Sequence, residues 1–229
     1  MSREVPLPPA AALSSAARFL RRGVRPDGIN EEGSDWEIAS HQWGMFISWS
    51  YNRGVSLPAA VAPDREGGRE HDLRFDAEAG RWLKFTKPFS AGWATGWNGE
   101  RLVRRAATPL QYLGRWRLLN RLFGGDARLV GLSCLGRTQR IVVSQAHQEG
   151  TSPTWQEIDA AMERLHGLRR LPANTGPEED PERRAYGRGR LVVFDVHPGN
   201  CARTPDGRIV PFGAIPQFLS RADAAALWR

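Results

Sequence analysis

Lysine is almost missing from this sequence: of 32 basic residues only Lys84 and Lys87 are lysine, and the other 30 are arginine. The two side chains are not interchangeable where a compact ammonium must reach a phosphate. Two lysines kept in one stretch are therefore candidate functional residues. Cysteine is scarce as well. Cys134 and Cys201 lie far apart without partners at ligand spacing, which excludes a disulfide framework or a cysteine metal site and predicts free thiols. No run of about 18 apolar residues occurs, which argues against a membrane-spanning helix. The start, with Arg3, Glu4 and then prolines, lacks the apolar core of a signal peptide. A cytoplasmic protein without a membrane partner is expected.

A clustered basic run is also missing. The formal charge is +7, but the arginines are spread, mostly as pairs (Arg21-Arg22, Arg104-Arg105, Arg169-Arg170, Arg183-Arg184). A nucleic-acid partner should show as a stripe. These residues read mainly as solvated surface, and nucleic acid stays a weaker candidate partner, favoured only by charge and aromatics. What is present suits a real core: 229 residues, 41% hydrophobic, with nine tryptophans. That length holds one ample domain or two small lobes.

Residues 1–35, rich in Pro, Ala and Gly, read as a loosely packed leader with one short helix over 10–22. The aromatic stretch 36–51 reads as a strand or short buried element, and 52–69 as a linker broken by prolines and Gly67-Gly68. Alternation on either side of Gly80 predicts a hairpin of 70–76 with 81–88. There Lys84 shares a face with Trp82 and Thr86, and Lys87 points the other way. The alternative for Lys84 is an edge-strand lysine that discourages aggregation. Residues 90–99 read as a flexible aromatic loop. From Pro109, the spacing of Leu110, Leu113, Leu118, Leu119, Leu122 and Phe123 predicts an amphipathic helix ended by Gly124-Gly125.

Strands over 129–134 and 140–144 flank a Gly-Arg-Thr turn. Thr154 and Glu157 form a capping box for a helix that buries Ile158, Met162 and Leu165 and closes at Gly167. Residues 172–189 read as a mobile connection, and 221–228 as a short helix. His147 and His166 have no helical partners at metal spacing and read as ordinary polar residues.

The stretch Asp195-Val196-His197-Pro198-Gly199-Asn200 follows the apolar run 191–194 and precedes a hairpin-like segment, 204–211. A carboxylate and an amide five residues apart at a strand end suit phosphoryl transfer: one accepts the proton of an attacking hydroxyl, the other offers a hard oxygen to magnesium. The same six residues also suit a tight turn in which Asp195 and Asn200 cap backbone groups. A hydrolase with Asp195 and His197 as metal ligands finds no further His or Asp at ligand spacing.

Asp-x-His-Pro-Gly-Asn followed by Pro-Asp-Gly-Arg resembles the catalytic loop of kinase-like phosphotransferases of the aminoglycoside kind. With Glu70-His71, Lys84-Phe85-Thr86-Lys87-Pro88 and the segment from Tyr112 to Gly124, the chain is most similar to the kinase domain of polyvalent proteins from phages and mobile elements, over roughly residues 66–219. The resemblance implies an α+β, reduced protein kinase-like fold of two lobes. A small antiparallel-sheet lobe would span about 66–146, a short, mainly helical lobe with the catalytic loop 147–229, and an N-terminal extension 1–65. It implies ATP and Mg2+ as cofactors and a hydroxyl-bearing substrate. Asp195 would be the catalytic base, Asn200 a metal ligand and Lys84 the nucleotide lysine, with Gln145 and Ala146 at the hinge holding adenine through their backbone.

The chain departs from that pattern in several places. Gly213 stands where the family carries its metal aspartate, and Val193 where it carries a histidine. No Gly-x-Gly-x-x-Gly loop precedes Lys84, and no acidic residue lies between Glu100 and Asp126 to pair it from a helix. After Gly213 only 214–229 remain, too few for an activation segment. The expected function is a phosphotransferase with a degenerate metal site, the alternative being a pseudokinase that binds nucleotide or protein without chemistry.

Overall fold

The computed structural model describes residues 9–23, 35–136, 138–172, 175 and 184–229. The elements run α1 (Pro9–Arg22), α2 (Asp35–Asn52), β1 (Ser56–Leu57), β2 (Arg65–Gly67), β3 (His71–Asp76), β4 (Arg81–Thr86), β5 (Trp93–Trp97), β6 (Leu102–Ala106) and α3 (Pro109–Phe123). They continue with β7 (Arg128–Leu135), β8 (Thr138–Ala146), α4 (Trp155–His166), β9 (Arg169–Arg170), β10 (Arg184–Arg188) and β11 (Leu191–Val196). A 3-10 turn (Pro198–Asn200), β12 (Cys201–Arg203), β13 (Ile209–Pro211), β14 (Ile215–Phe218) and α5 (Arg221–Leu227) complete the chain. This is an α+β protein whose chain falls into two compact units: Met1–Gly92 with Ala106–Arg117 and Asp126–His147, and Trp93–Arg105 with Leu118–Gly125 and Gln148–Arg229.

The first unit is built on a six-stranded sheet of order β1-β7-β8-β4-β3-β2. Its pairings are antiparallel except β1 with β7. The hairpin read from the sequence is β3–β4, with Leu73 opposite Lys84, and Lys84 is opposite Val143 on the other side. Lys84 therefore sits in an interior strand, and the edge-guard explanation does not apply to it. The stretch expected as a linker supplies β1 and β2. The β1 edge approaches β7 so closely that a Cβ on Gly131 would lie 2.8 Å from the Val55 carbonyl carbon, and Gly131 has φ 146°. Only glycine accepts both conditions.

Two expectations about the N-terminal region are corrected. The helix α1 is not loosely packed: Ala12, Leu13, Ala16, Ala17 and Leu20, one helical face, are buried, and the helix packs on β7 and α2. The rest of the expected leader, 1–8 and 24–34, lies outside the described residues. The stretch 36–51 is a helix, α2, not a strand. Its buried positions Gln42, Phe46, Trp49 and Ser50 have helical spacing, whereas Trp36 is 74% exposed and Trp43 half-buried. Tryptophans on different faces gave the sequence no visible period.

The second unit has its own sheet, β14-β11-β10-β9, and two hairpins, β5–β6 and β12–β13. Leu102, Leu171, Ala185, Val192, Phe194, Ile215, Leu219 and Ala224 form its apolar core, with Trp93 and Trp97 packed against it. The aromatic stretch expected as a flexible loop is thus strand β5. Part of the expected mobile connection is β10, where Tyr186 donates to Asp159 Oδ1 at 2.5 Å; 173–174 and 176–183 lie outside the described residues. The capping box of α4 is present, with Gly167 left-handed at its end. The buried face of α4 is Ile158, Ala161 and Met162, while Leu165 is 65% exposed, contrary to the expected stripe.

Candidate functional site

In the second unit the stretch 195–200 closes on itself. Leu191 to Phe194 form a fully buried strand paired on both sides, by β10 and β14. The pairing with β10 slips between Arg184/Val196 and Tyr186/Val193, so β11 carries one extra residue there. Asp195 lies in that bulge with φ 60°. Aspartate tolerates this left-handed conformation better than most residues, at a cost on the order of 1 kcal/mol. The bulge turns the chain out of the sheet immediately before Pro198-Gly199, and Asp195 remains buried.

Asn200 holds this bend. Its Nδ2 donates to the Asp195 carbonyl at 2.9 Å and lies 3.3 Å from Asp195 Oδ2. Since both of these groups accept, the amide nitrogen must face Asp195. The amide oxygen then faces Gly213: a Cβ at position 213 would stand 2.6 Å from Asn200 Cγ. Asn200 O accepts from the amides of Phe212, at 2.9 Å, and Gly213, at 3.2 Å, which ties the loop to the end of the β12–β13 hairpin. Ser152 Oγ donates to the Pro198 carbonyl at 3.2 Å. Cys201 next to the turn is buried, and burial pushes its thiol up to about 12, so it is not a nucleophile.

This geometry tests the magnesium expectation. An aspartate at 213 would collide with Asn200 as it is placed here. The stretch therefore offers one amide oxygen beside one carboxylate, and no group of three or more His, Cys, Asp or Glu that could hold a metal occurs among the described residues. Such a set does not make a protein-only cage. A magnesium carried on nucleotide phosphates needs few protein ligands, and Asn200 Oδ1 would be the oxygen this stretch has for it.

In the first unit Lys84 is part of a buried polar cluster. Its ammonium lies 5.2 Å from the centre of the Trp116 ring, and the Arg115 guanidinium is also 5.2 Å from that ring. Burial lowers Lys84 to about 8; the positive charge of Arg115 adds to this and the negative charge of Glu70 opposes it. Glu70 Oε1 accepts from Arg115 Nη1 at 2.5 Å, and its Oε2 is 3.6 Å from His71 Nδ1. Burial drives His71 down to about 3 and raises the phenol of Tyr112, so both are neutral at pH 7. The phenol O–H then donates to His71 Nε2 at 2.9 Å, leaving the ring N–H on Nδ1 toward Glu70.

Lys87, by contrast, bonds Asp72 at 2.5 Å, and Asp72 also pairs with Arg140. Of the two lysines, Lys84 has the perturbed environment and Lys87 the ordinary ion pair. Gln145 and Ala146 end β8 opposite Trp82 and Arg81. The Ala146 amide donates to Asp126 Oδ1 at 3.0 Å, so that N–H is engaged within the unit. His147 accepts from Trp82 Nε1 at 3.0 Å.

Sequence reading missed Arg115. Its signal was there: Tyr112, Arg115, Trp116 and Leu119 share one face of α3, and an arginine on an apolar face needs a buried acid. That acid is Glu70, from the residue before β3. No family model matches the chain, and neither a curated protein nor a solved structure matches it.

Proposed function

We propose that the chain is an ATP-dependent phosphotransferase with a reduced, kinase-like two-lobed fold. The observation that carries this reading is Asp195, held in a left-handed bulge at the end of a buried strand with its carbonyl and carboxylate bonded by Asn200. Strained backbone at a carboxylate is a feature of sites more than of plain turns. In the proposed reaction Asp195 accepts the proton of a substrate hydroxyl as that oxygen attacks the γ-phosphorus. The bond from phosphorus to the β–γ bridging oxygen breaks, and ADP leaves. Lys84 places an ammonium on the nucleotide phosphates, with Glu70 restraining its loss of charge. Magnesium, when bound with the nucleotide, supplies charge neutralisation of the phosphates, and Asn200 Oδ1 is the oxygen this chain has for it.

A second reading, a pseudokinase, is favoured by the packing of Gly213 against Asn200, which leaves no space for the metal aspartate. Calorimetry of ATP binding with and without Mg2+ separates the two. Magnesium-dependent binding that Lys84→Ala abolishes, with phosphate transfer lost in Asp195→Asn, is the outcome expected of the enzyme. Binding indifferent to magnesium, with no transfer to any hydroxyl acceptor tried, supports the pseudokinase. Absence of ATP binding removes the enzyme and leaves of the second reading only a pseudokinase that binds protein.

A further inference from the structure

The arginines that looked scattered in the sequence converge in the first unit. A groove of about 490 Å3 lies between α1 and the end of α2, with Ser14, Arg18, Phe19, Arg22, Asn52 and Arg53 among its lining residues. Among the described residues no carboxylate lines it. Beyond the groove, Arg117 of α3 is lowered by burial first, and then by the positive charges of Arg21 and Arg18 of α1. The negative C-terminal end of α1 accounts for Arg21 and Arg22. It does not account for Arg18, one turn earlier, or for Arg53, which follows the end of α2. Arg18 and Arg22 thus stand one turn apart on α1 and both line the groove.

We infer that this groove binds the phosphodiester backbone of single-stranded nucleic acid. The guanidiniums have the planar fork that takes a phosphate through two donors. Ser14 and Asn52 add neutral donors of the kind used on phosphate oxygens. Phe19 is a half-buried ring on the groove wall, a surface on which a base can stack. An anionic membrane is the less suitable partner. A basic helix binds a bilayer by burying its apolar face, and the apolar face of α1 is already buried in this protein's own core.

The test uses the full chain and a fluorescein-labelled oligonucleotide of twenty thymidines, with anisotropy read at several salt concentrations. If Arg18, Arg22, Arg53 and Arg117 each neutralise a phosphate, the plot of log K against log salt has a slope of about −3. Arg18→Ala with Arg22→Ala makes that slope shallower by about 1.4 and weakens binding about tenfold at low salt. Both side chains are exposed, and thermal melting verifies that the double variant is folded. Arg164→Ala with Arg169→Ala removes the same charge from exposed positions of the second unit and leaves the slope unchanged. An equal loss in both double variants shows diffuse charge and overturns the groove. So does no binding by the unmodified chain, or tighter binding to phosphatidylserine vesicles than to the oligonucleotide. A duplex of equal length that binds better than the single strand, with Phe19→Ala without effect, overturns the single-strand assignment.

Discussion

At the scale of the residue, Asn200 and Gly213 form one device. The asparagine can bond both the carbonyl and the carboxylate of Asp195 because position 213 has no side chain. Gly213→Asp therefore displaces the Asn200 side chain before it adds a metal ligand. We expect it to cost about 1–3 kcal/mol through the lost hydrogen bonds to a buried group, read as a fall in thermal midpoint. Asn200→Ala should cost a similar amount, and the double variant should cost less than the sum, because one interaction is removed twice. An additive double variant would separate the two positions. Lys84 offers a direct chemical readout. An amine lowered to about 8 is partly neutral at pH 8, and the chain has only two lysines. Acylation with an N-hydroxysuccinimide ester at that pH, followed by peptide mapping, should modify Lys84 in the free protein and be slowed by ATP if the phosphates reach it.

At the scale of the element, the helices were legible where their apolar residues lie on one face, and obscure where they do not. The range of α3 and the capping box of α4 followed from leucine spacing and from Thr154 with Glu157. The strand β4 followed from alternation, although nothing in its sequence told that it would lie between β3 and β8. The α2 helix was hidden because its tryptophans point in different directions, and β5 because three glycines and two tryptophans resemble a loop until β6 pairs with it. The role of α1 is the clearest test at this scale. Leu20 is fully buried, so Leu20→Ala should cost about 2–5 kcal/mol in urea unfolding. A helix belonging to a loose leader would cost almost nothing. Thr154→Ala should cost about 1 kcal/mol by removing the cap of α4.

For the whole molecule, buried ionisable groups set the response to acid. His71 has its folded value lowered to about 3 from an unfolded 6.5. The unfolded chain therefore binds its proton first as pH falls. Stability from this group is complete above pH 6.5, declines below it, and is gone near pH 3. Between pH 6.5 and 5 the loss amounts to about 2 kcal/mol. Asp72 and Asp126, held low by hydrogen bonds from Lys87 and Arg140 and from Arg81 respectively, lose their contribution only in the lower carboxylate range. Urea unfolding at pH 7 and pH 5 should show the early loss in the unmodified protein and not in His71→Gln, whose amide oxygen can still accept from Tyr112. An unchanged acid response in that variant would place the early loss elsewhere.

The sequence by itself determined the free thiols, most strand and helix positions after residue 70, and the candidate loop at 195–200. These depend on local rules: alternation, helical spacing, capping residues and turn chemistry act within about ten residues of chain. Only the tertiary structure decided what those residues meet. It placed Glu70 and Arg115 beside the Lys84 environment, seated α1 in a core, gave Gly213 to Asn200, and set Arg18 and Arg22 of α1 on one groove with Arg53, the residue after α2. The physical reason is common to all four. Burial, charge pairing and close packing depend on distances between residues far apart in the chain, and a local pattern carries no record of those distances.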